Sequence, residues 1–413
     1  MLYSSPLQRA AFILAGPFGC YVVYNIVFVW RLYDPDKYPA LAEYYEWPGL
    51  ALIFVTYAVA MALSAWGTAR FIPALSPHPN SPSFNRLTLS LMVVATAVLM
   101  ALTVYRVFGT LSPSTLLGGY ARYYALSRNG GAWIILAAYA ILYGYLLDMY
   151  FGGVKRWNSA ALLMSVLLNF VNGGRSILMC VLLAYLFLLY CQRPSYRGLF
   201  AGIAPAAAIA LLSFVFVTEL RLPTEDQLSQ VGGEEAAEEH YEMNYNSAFV
   251  INDVLGDLKE GRLTPYPHFL VDTMYLIPRA ILPNKPLSTS DTRAVYPQIA
   301  ARGTTMSFPL SANIAMHLGA WAFVLSPIVS AACQLAFVWG AARRVGVVSF
   351  LAFFWGAMFL LAARGGILNY RIVLHSIMII VIFFTYRYIS RGFLAGWFMV
   401  CEKATQHVGN PPE

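Results

Sequence analysis

Arg364 stands in the short turn ARGG ahead of an apolar stretch near the C-terminus, and Arg371 and His375 follow within that stretch, seven and eleven residues after it. On an α-helix these three fall within about 20° of one face, along roughly 16 Å of axis. Charge set that deep in an apolar run is costly and marks function by default, because snorkelling to the lipid surface does not reach so far. The chemistry such a stripe suits is the binding of phosphate or carboxylate. A guanidinium matches those groups with two parallel hydrogen bonds and keeps its charge at any physiological pH.

Three more arginines extend the set: Arg175 in NGGRS, Arg221 in TELRL and Arg279 in YLIPRAILP. Glycines beside Arg175 and Arg364 leave room for backbone to approach a ligand closely. Taken singly, each arginine has a plain alternative, a headgroup contact or a pairing with a loop carboxylate.

Proton transfer needs a different residue type. His268 and Asp272 are four apart, so a helix there sets them on one face, and an imidazole oriented by a carboxylate is a competent general base. The alternative is an interfacial ion pair or a helix cap. Glu219, next to Arg221, and His317, taken as opening an apolar span, are further base candidates. His240 lies in EEAAEEHYE and reads as part of a solvated run. Metal chemistry has thin support: the chain contains no HExxH and no CxxC, and no cofactor is expected. The one acidic pair to weigh is Asp34-Pro-Asp36, which Arg31 and Lys37 are placed to neutralise.

The elements that must position these residues are membrane helices. The 413 residues are 59% hydrophobic and 11% charged, with a mean hydropathy of +0.60. A soluble domain carries about 25% charged residues, so a water-soluble fold is excluded. Spans of roughly 20 apolar residues are expected near 10–30, 49–66, 88–108, 133–152, 158–173, 175–191, 198–218, 318–340, 347–363 and 367–386. The fold class is therefore all-α and polytopic, with about ten transmembrane helices.

Alternate loops differ in charge. One set holds Arg9, Arg70, Arg86, Lys155, Arg156, Arg193, Arg197, Arg343, Arg344, Arg387, Arg391 and Lys403, against Asp148, Glu402 and Glu413 alone. The positive-inside bias puts that set, and both termini, in the cytoplasm. The net charge of +7 thus reflects topology and not a nucleic-acid partner. The N-terminus has no signal-peptide pattern, so the first span is expected to be retained. Cys20, Cys180, Cys191, Cys333 and Cys401 avoid the long polar stretch, so no disulfide framework is expected.

This divides the chain into a membrane bundle at 1–218 of about seven helices, an external segment at 219–317, a second bundle at 318–386 of about three helices, and a cytoplasmic tail at 387–413. The external segment holds most of the 20 acidic residues. Its first half, Thr224 to Glu242, lacks a hydrophobic pattern and reads as solvated. Phe249, Val250, Val254, Leu255 and Leu258 then recur at helical spacing up to Gly261. From Pro265 to Pro283 the segment is apolar, aromatic and too proline-rich to span, so it is expected to lie on the membrane face. Tyr120, Tyr123, Tyr124, Tyr241, Tyr245, Tyr266, Phe269, Tyr275 and Tyr296 are external aromatics, which anchor at interfaces and also stack on sugar rings.

YLIPRAILPNKP at 275–286, followed by HLGAWAF at 317–323, resembles the signature region of bacterial oligosaccharide repeat unit polymerases, the Wzy-type O-antigen and exopolysaccharide polymerases. Gly173-Gly174-Arg175-Ser176 before an aliphatic helix resembles the mid-chain arginine of the same family. The chain departs at Leu282, where many relatives carry Trp, and at His317-Leu318-Gly319, which replaces an Asn- or Tyr-containing Phe-Gly.

The resemblance implies a GT-C-like membrane enzyme with one large periplasmic loop in the bacterial inner membrane. It implies metal-independent, inverting glycosyl transfer between undecaprenyl-pyrophosphate-linked glycans. Arg175, Arg221, Arg279, Arg364 and Arg371 would then hold the lipid pyrophosphate, His268 or Asp272 would be the base, and a chain-length-regulating co-polymerase would be a partner. The residues leave three alternatives open. One is an O-antigen ligase, which shares this logic. Another is a metal-dependent GT-C glycosyltransferase using polyprenyl-phosphate sugars, whose loop acids Asp34 and Asp36 resemble. The third, of another class, is a flippase for lipid-linked oligosaccharides, though no internal repeat supports it.

Overall fold

A computed structural model describes residues 84–108, 132–169, 175–192, 310–344, 346–358 and 370–388, together with a few isolated positions. They form α1 (Arg86–Phe108), α2 (Ala132–Gly152), α3 (Arg156–Asn169), α4 (Arg175–Gln192), α5 (Leu310–Leu318), a 3-10 turn (Gly319–Trp321), α6 (Ala322–Arg343), α7 (Val347–Ala357) and α8 (Tyr370–Tyr388). All regular structure among the described residues is helical. The all-α expectation therefore holds for them, and α1, α2 and α4 begin and end within two residues of the apolar runs at 88–108, 133–152 and 175–191. The spans expected at 10–30 and 198–218 lie outside the described residues, as does most of 49–66 and of the segment 219–317.

Among the described residues, three stretches are long and apolar enough to cross a bilayer: Arg86–Arg106 with 21 residues, Ile134–Gly152 with 19, and Gly319–Arg343 with 25. Their surfaces say the same. Along α1, Leu87, Leu91, Val94, Val98 and Leu102 are exposed, and so are Ile377, Ile380, Val381 and Phe384 on α8. A soluble helix turns its apolar stripe inward. Here the stripe is outermost, which is stable only where the solvent is itself apolar. The chain is a membrane protein.

The interior centres on α2, whose Tyr139, Leu142, Tyr143, Leu146, Leu147 and Tyr150 are buried. α1 and α3 pack on one flank of α2, and α4, α7 and α8 on the other. Each helix has a local reason to stop where it does. Asn85 caps α1, its Oδ1 accepting the Thr88 N–H at 2.8 Å. α2 closes at Gly153, whose φ of 88° is the left-handed setting that glycine adopts without strain, and its N–H donates to the Met149 carbonyl at 3.0 Å. α6 and α7 form a tight antiparallel hairpin, turned by Arg344 at φ 41° and by Ser349, whose hydroxyl accepts from the Gly346 N–H. The two helices approach so closely that a Cβ on Gly340 would meet the backbone of Phe353, and one on Gly356 would overlap the Phe337 ring. Phe337 stacks on Phe353 at 5.1 Å between ring centroids and reaches Phe187 of α4 at 4.3 Å.

Two expectations change. The apolar run at 318–340 was read as one span opening at His317, yet the chain is already helical from Leu310. Gly319, at φ 59°, breaks the helix, so His317 closes α5 instead of opening α6. Asp148 was counted among cytoplasmic loop charges, but it lies inside α2 and is fully buried.

Candidate functional site

α8 reads YRIVLHSIMIIVIFFTYRY, with one imidazole among aliphatic side chains. His375 is only 3% exposed. It shares a hydrogen bond with Tyr143 of α2, oxygen to Nδ1, at 2.8 Å, with Tyr143 donating when the ring carries its proton on Nε2. The two rings meet edge to face at 5.6 Å, Tyr139 lies 6.0 Å from the imidazole, and Phe354 of α7 holds Tyr143 edge-on at 4.7 Å. Phe151 and Phe383 meet at 5.8 Å two turns further along the same helix pair. Both pairs are separated by 232 residues (375 − 143 and 383 − 151), so α2 and α8 run parallel in a single register. That register sets Arg371, one turn before His375, level with Tyr139 of α2.

This is where the sequence-derived site stands. Arg371 is the second residue of α8 and Arg175 the first residue of α4. Arg221, Arg279, Arg364, His268 and Asp272 lie outside the described residues, as do Glu219, His240, Asp34 and Asp36. His317 is 8% exposed at the end of α5. Among the described residues, no three His, Cys, Asp or Glu side chains gather as metal ligands would.

Two further polar clusters escaped the sequence reading. At the Lys155 end of α2, Asp148 accepts the Phe84 backbone N–H on Oδ1 at 2.7 Å and the Asn158 amide on Oδ2 at 3.0 Å. Asn158 also donates to the Gly153 carbonyl and accepts the Lys155 N–H. One carboxylate thus ties the starts of α1 and α3 to the end of α2. Its signal was the neighbourhood Asp148…Lys155-Arg156-Trp157-Asn158, an acid and an amide ten apart across a Gly-Gly turn.

The second cluster is Ser326, Ser330 and Gln334, spaced by four along one face of α6 and each at least 97% buried. Among the described residues, no partner meets Ser326 Oγ, Ser330 Oγ or Gln334 Nε2. Elsewhere, hydroxyls inside helices bond the carbonyl four residues back: Thr96 to Met92, Thr103 to Leu99 and Thr385 to Val381. Tyr143, the partner of His375, had no signal beyond a hydroxyl inside an apolar run.

Chemically, the α2–α8 face can hold an imidazole at fixed height and rotation beneath the position of Arg371. No family model, no curated protein and no solved structure matches the chain.

Proposed function

We propose that the chain is an oligosaccharide repeat unit polymerase of the bacterial inner membrane, both termini cytoplasmic, that joins undecaprenyl-pyrophosphate-linked glycans on the outer face. The observation that carries this reading is the burial of His375 against Tyr143, at the inner end of the stripe begun by Arg364 and Arg371. A membrane protein that keeps an imidazole inside a helix bundle, with Arg371 one turn before it on the same helix, is equipped for an anionic headgroup. The similarity of YLIPRAILPNKP and HLGAWAF to the polymerase signature narrows that headgroup to a lipid pyrophosphate.

In the reaction, an acceptor sugar hydroxyl attacks the anomeric carbon of the donor glycan. The bond from that carbon to the pyrophosphate oxygen breaks, and undecaprenyl pyrophosphate leaves with the electron pair. The hydroxyl proton passes to a base on the external segment, His268 or Asp272. The arginines Arg175, Arg221, Arg279, Arg364 and Arg371 stabilise the charge developing on the leaving group, the role a metal ion plays in other transferases. A co-polymerase that sets chain length is the expected protein partner.

The test is reconstitution of purified protein with lipid-linked repeat units from its host, in EDTA, with products resolved on a gel. A ladder of lengthened lipid-linked glycan is the expected result. Activity that returns only with divalent metal would move the chemistry to Asp34 and Asp36. Silence in both conditions would turn the reading toward a ligase or a flippase.

A further inference from the structure

We infer that Tyr143 is a positioning residue for anion binding: its hydrogen bond to His375 sets the rotation and height of α8, and thereby where Arg371 meets a polyprenyl pyrophosphate. The inference rests on the reading of the arginine stripe as a pyrophosphate site, and it adds to that stripe a residue on a different helix, 232 positions away.

Two described contact levels join α2 to α8. At the Lys155 end Phe151 meets Phe383 at 5.8 Å, and Tyr386 of α8 lies edge-on to Phe84, ahead of α1, at 5.0 Å. These contacts hold α8 against the bundle at that end. At the Arg371 end the contact is directional: the Tyr143 hydroxyl meets Nδ1 at 2.8 Å, and a hydrogen bond weakens steeply as its angle degrades. Tyr143 is itself held, fully buried and edge-on to Phe354 of α7 at 4.7 Å. The directional clamp thus lies one turn inward of Arg371, on the same face of α8 by helical spacing. Removing the hydroxyl leaves the lower contacts in place, so α8 stays docked while its Arg371 end gains freedom to rotate. A bidentate guanidinium–phosphate geometry is sensitive to that freedom.

Soluble geranyl pyrophosphate serves as the probe, with binding to full-length protein in detergent read by calorimetry, beside polymerisation kinetics on lipid-linked donor. Tyr143→Phe is expected to weaken geranyl pyrophosphate binding and to raise the donor KM by roughly tenfold each, the order of one strong interhelical hydrogen bond, with kcat within about twofold. His375→Ala should match it, and His375→Gln, which keeps an amide able to bond the tyrosine, should recover most of the affinity. In an Arg371→Ala background Tyr143→Phe should do nothing further, because its effect is routed through that arginine.

Wild-type affinity in Tyr143→Phe would overturn the inference, and so would losses from Tyr143→Phe and Arg371→Ala that simply multiply. If Tyr143→Phe fails to fold, the histidine variants decide: equal affinity in His375→Gln and His375→Ala overturns it. A wild-type protein that binds geranyl pyrophosphate with these dependencies, yet forms no polymer, would defeat the polymerase reading and leave the positioning role standing. A wild-type protein that does not bind the probe removes both.

Discussion

Asp148 and His375 are both ionisable and both almost wholly inside the bundle, one on α2 and the other packed against it, yet they are held in different ways. Asp148 is held at the ends of helices. Its hydrogen bonds go to the Phe84 backbone N–H, to the Asn158 amide on the next helix and, through that amide, to the Gly153 carbonyl, all at the joints where α1, α2 and α3 begin or end. A carboxylate so used substitutes for missing helix-end hydrogen bonds and is part of the scaffold. His375 is held from another helix, by its hydrogen bond to Tyr143 and by ring contacts with Tyr143 and Tyr139. The hydrogen bonds of Asp148 go to helix ends, and that of His375 to a side chain on another helix.

The contrast breaks most sharply on activity. Arg371→Ala and Arg364→Ala should cost polymer formation on the order of a hundredfold or more, the loss typical of removing one preorganised charge stabiliser, while melting and insertion stay as in wild type. Arg→Lys at either position should fail similarly, because an ammonium does not reproduce a bidentate fork. Normal polymer from both alanine variants would remove the pyrophosphate clamp. Asp148→Ala should do the reverse. It strands the Phe84 N–H and removes one of the two acceptors of the Asn158 amide, so stability should fall by about 2–5 kcal/mol, with donor KM unchanged in the fraction that folds. Thermal unfolding in detergent beside a KM determination separates the two outcomes. A large change in KM with little change in unfolding would place Asp148 on the functional side.

The same contrast explains how much could be read from sequence. The ends of α1, α2 and α4 were legible because uninterrupted apolar runs are bounded by Asn85, Gly153 and Gly174. The spacing of Arg371 and His375 was read as lying on one helix, and α8 carries both, since helical periodicity is a property of one element. Asp148 was misassigned because its main partner, the Phe84 N–H, is 64 residues away and a charge near Lys155 and Arg156 looks like loop. His317 was misplaced because apolar content does not change at Gly319, although the backbone does. Tyr143 was invisible as a partner: its identity fits any apolar tyrosine, and only the register of α2 against α8 singles it out. The external segment that carries His268 and Asp272, like Arg364 itself, lies outside the described residues, so the acid–base half of the site rests on spacing alone.

A smaller effect tests the scaffold side at a second place. Gly340 and Gly356 let α6 and α7 touch backbone to ring, and α7 is only 11 residues long. Gly356→Ala should overpack Phe337 and lower stability by about 1–3 kcal/mol. Its donor KM should stay at the wild-type value, because the overpacked ring is Phe337 while the hairpin meets Tyr143 through Phe354. A KM shift as large as that of Tyr143→Phe would mean that the hairpin and the α2–α8 clamp move as one unit.

The smallest effect carries the sharpest sign. Gln334 is 97% buried and its Nε2 has no partner among the described residues, in line with Ser326 and Ser330. If the stripe is scaffold, it is poor scaffold: a buried amide donor without an acceptor costs free energy, and leucine of similar volume removes that cost. Gln334→Leu should then leave stability unchanged or raise it by about 1 kcal/mol, with polymer length and yield as in wild type. Polar groups retained inside a membrane helix against that gradient are functional by default. A variant that melts higher yet makes less polymer would therefore move the α6 face from the Asp148 class to the His375 class. The sign of the stability change and the sign of the activity change, read together, assign the stripe, since a structural role moves both downward and an idle residue moves neither.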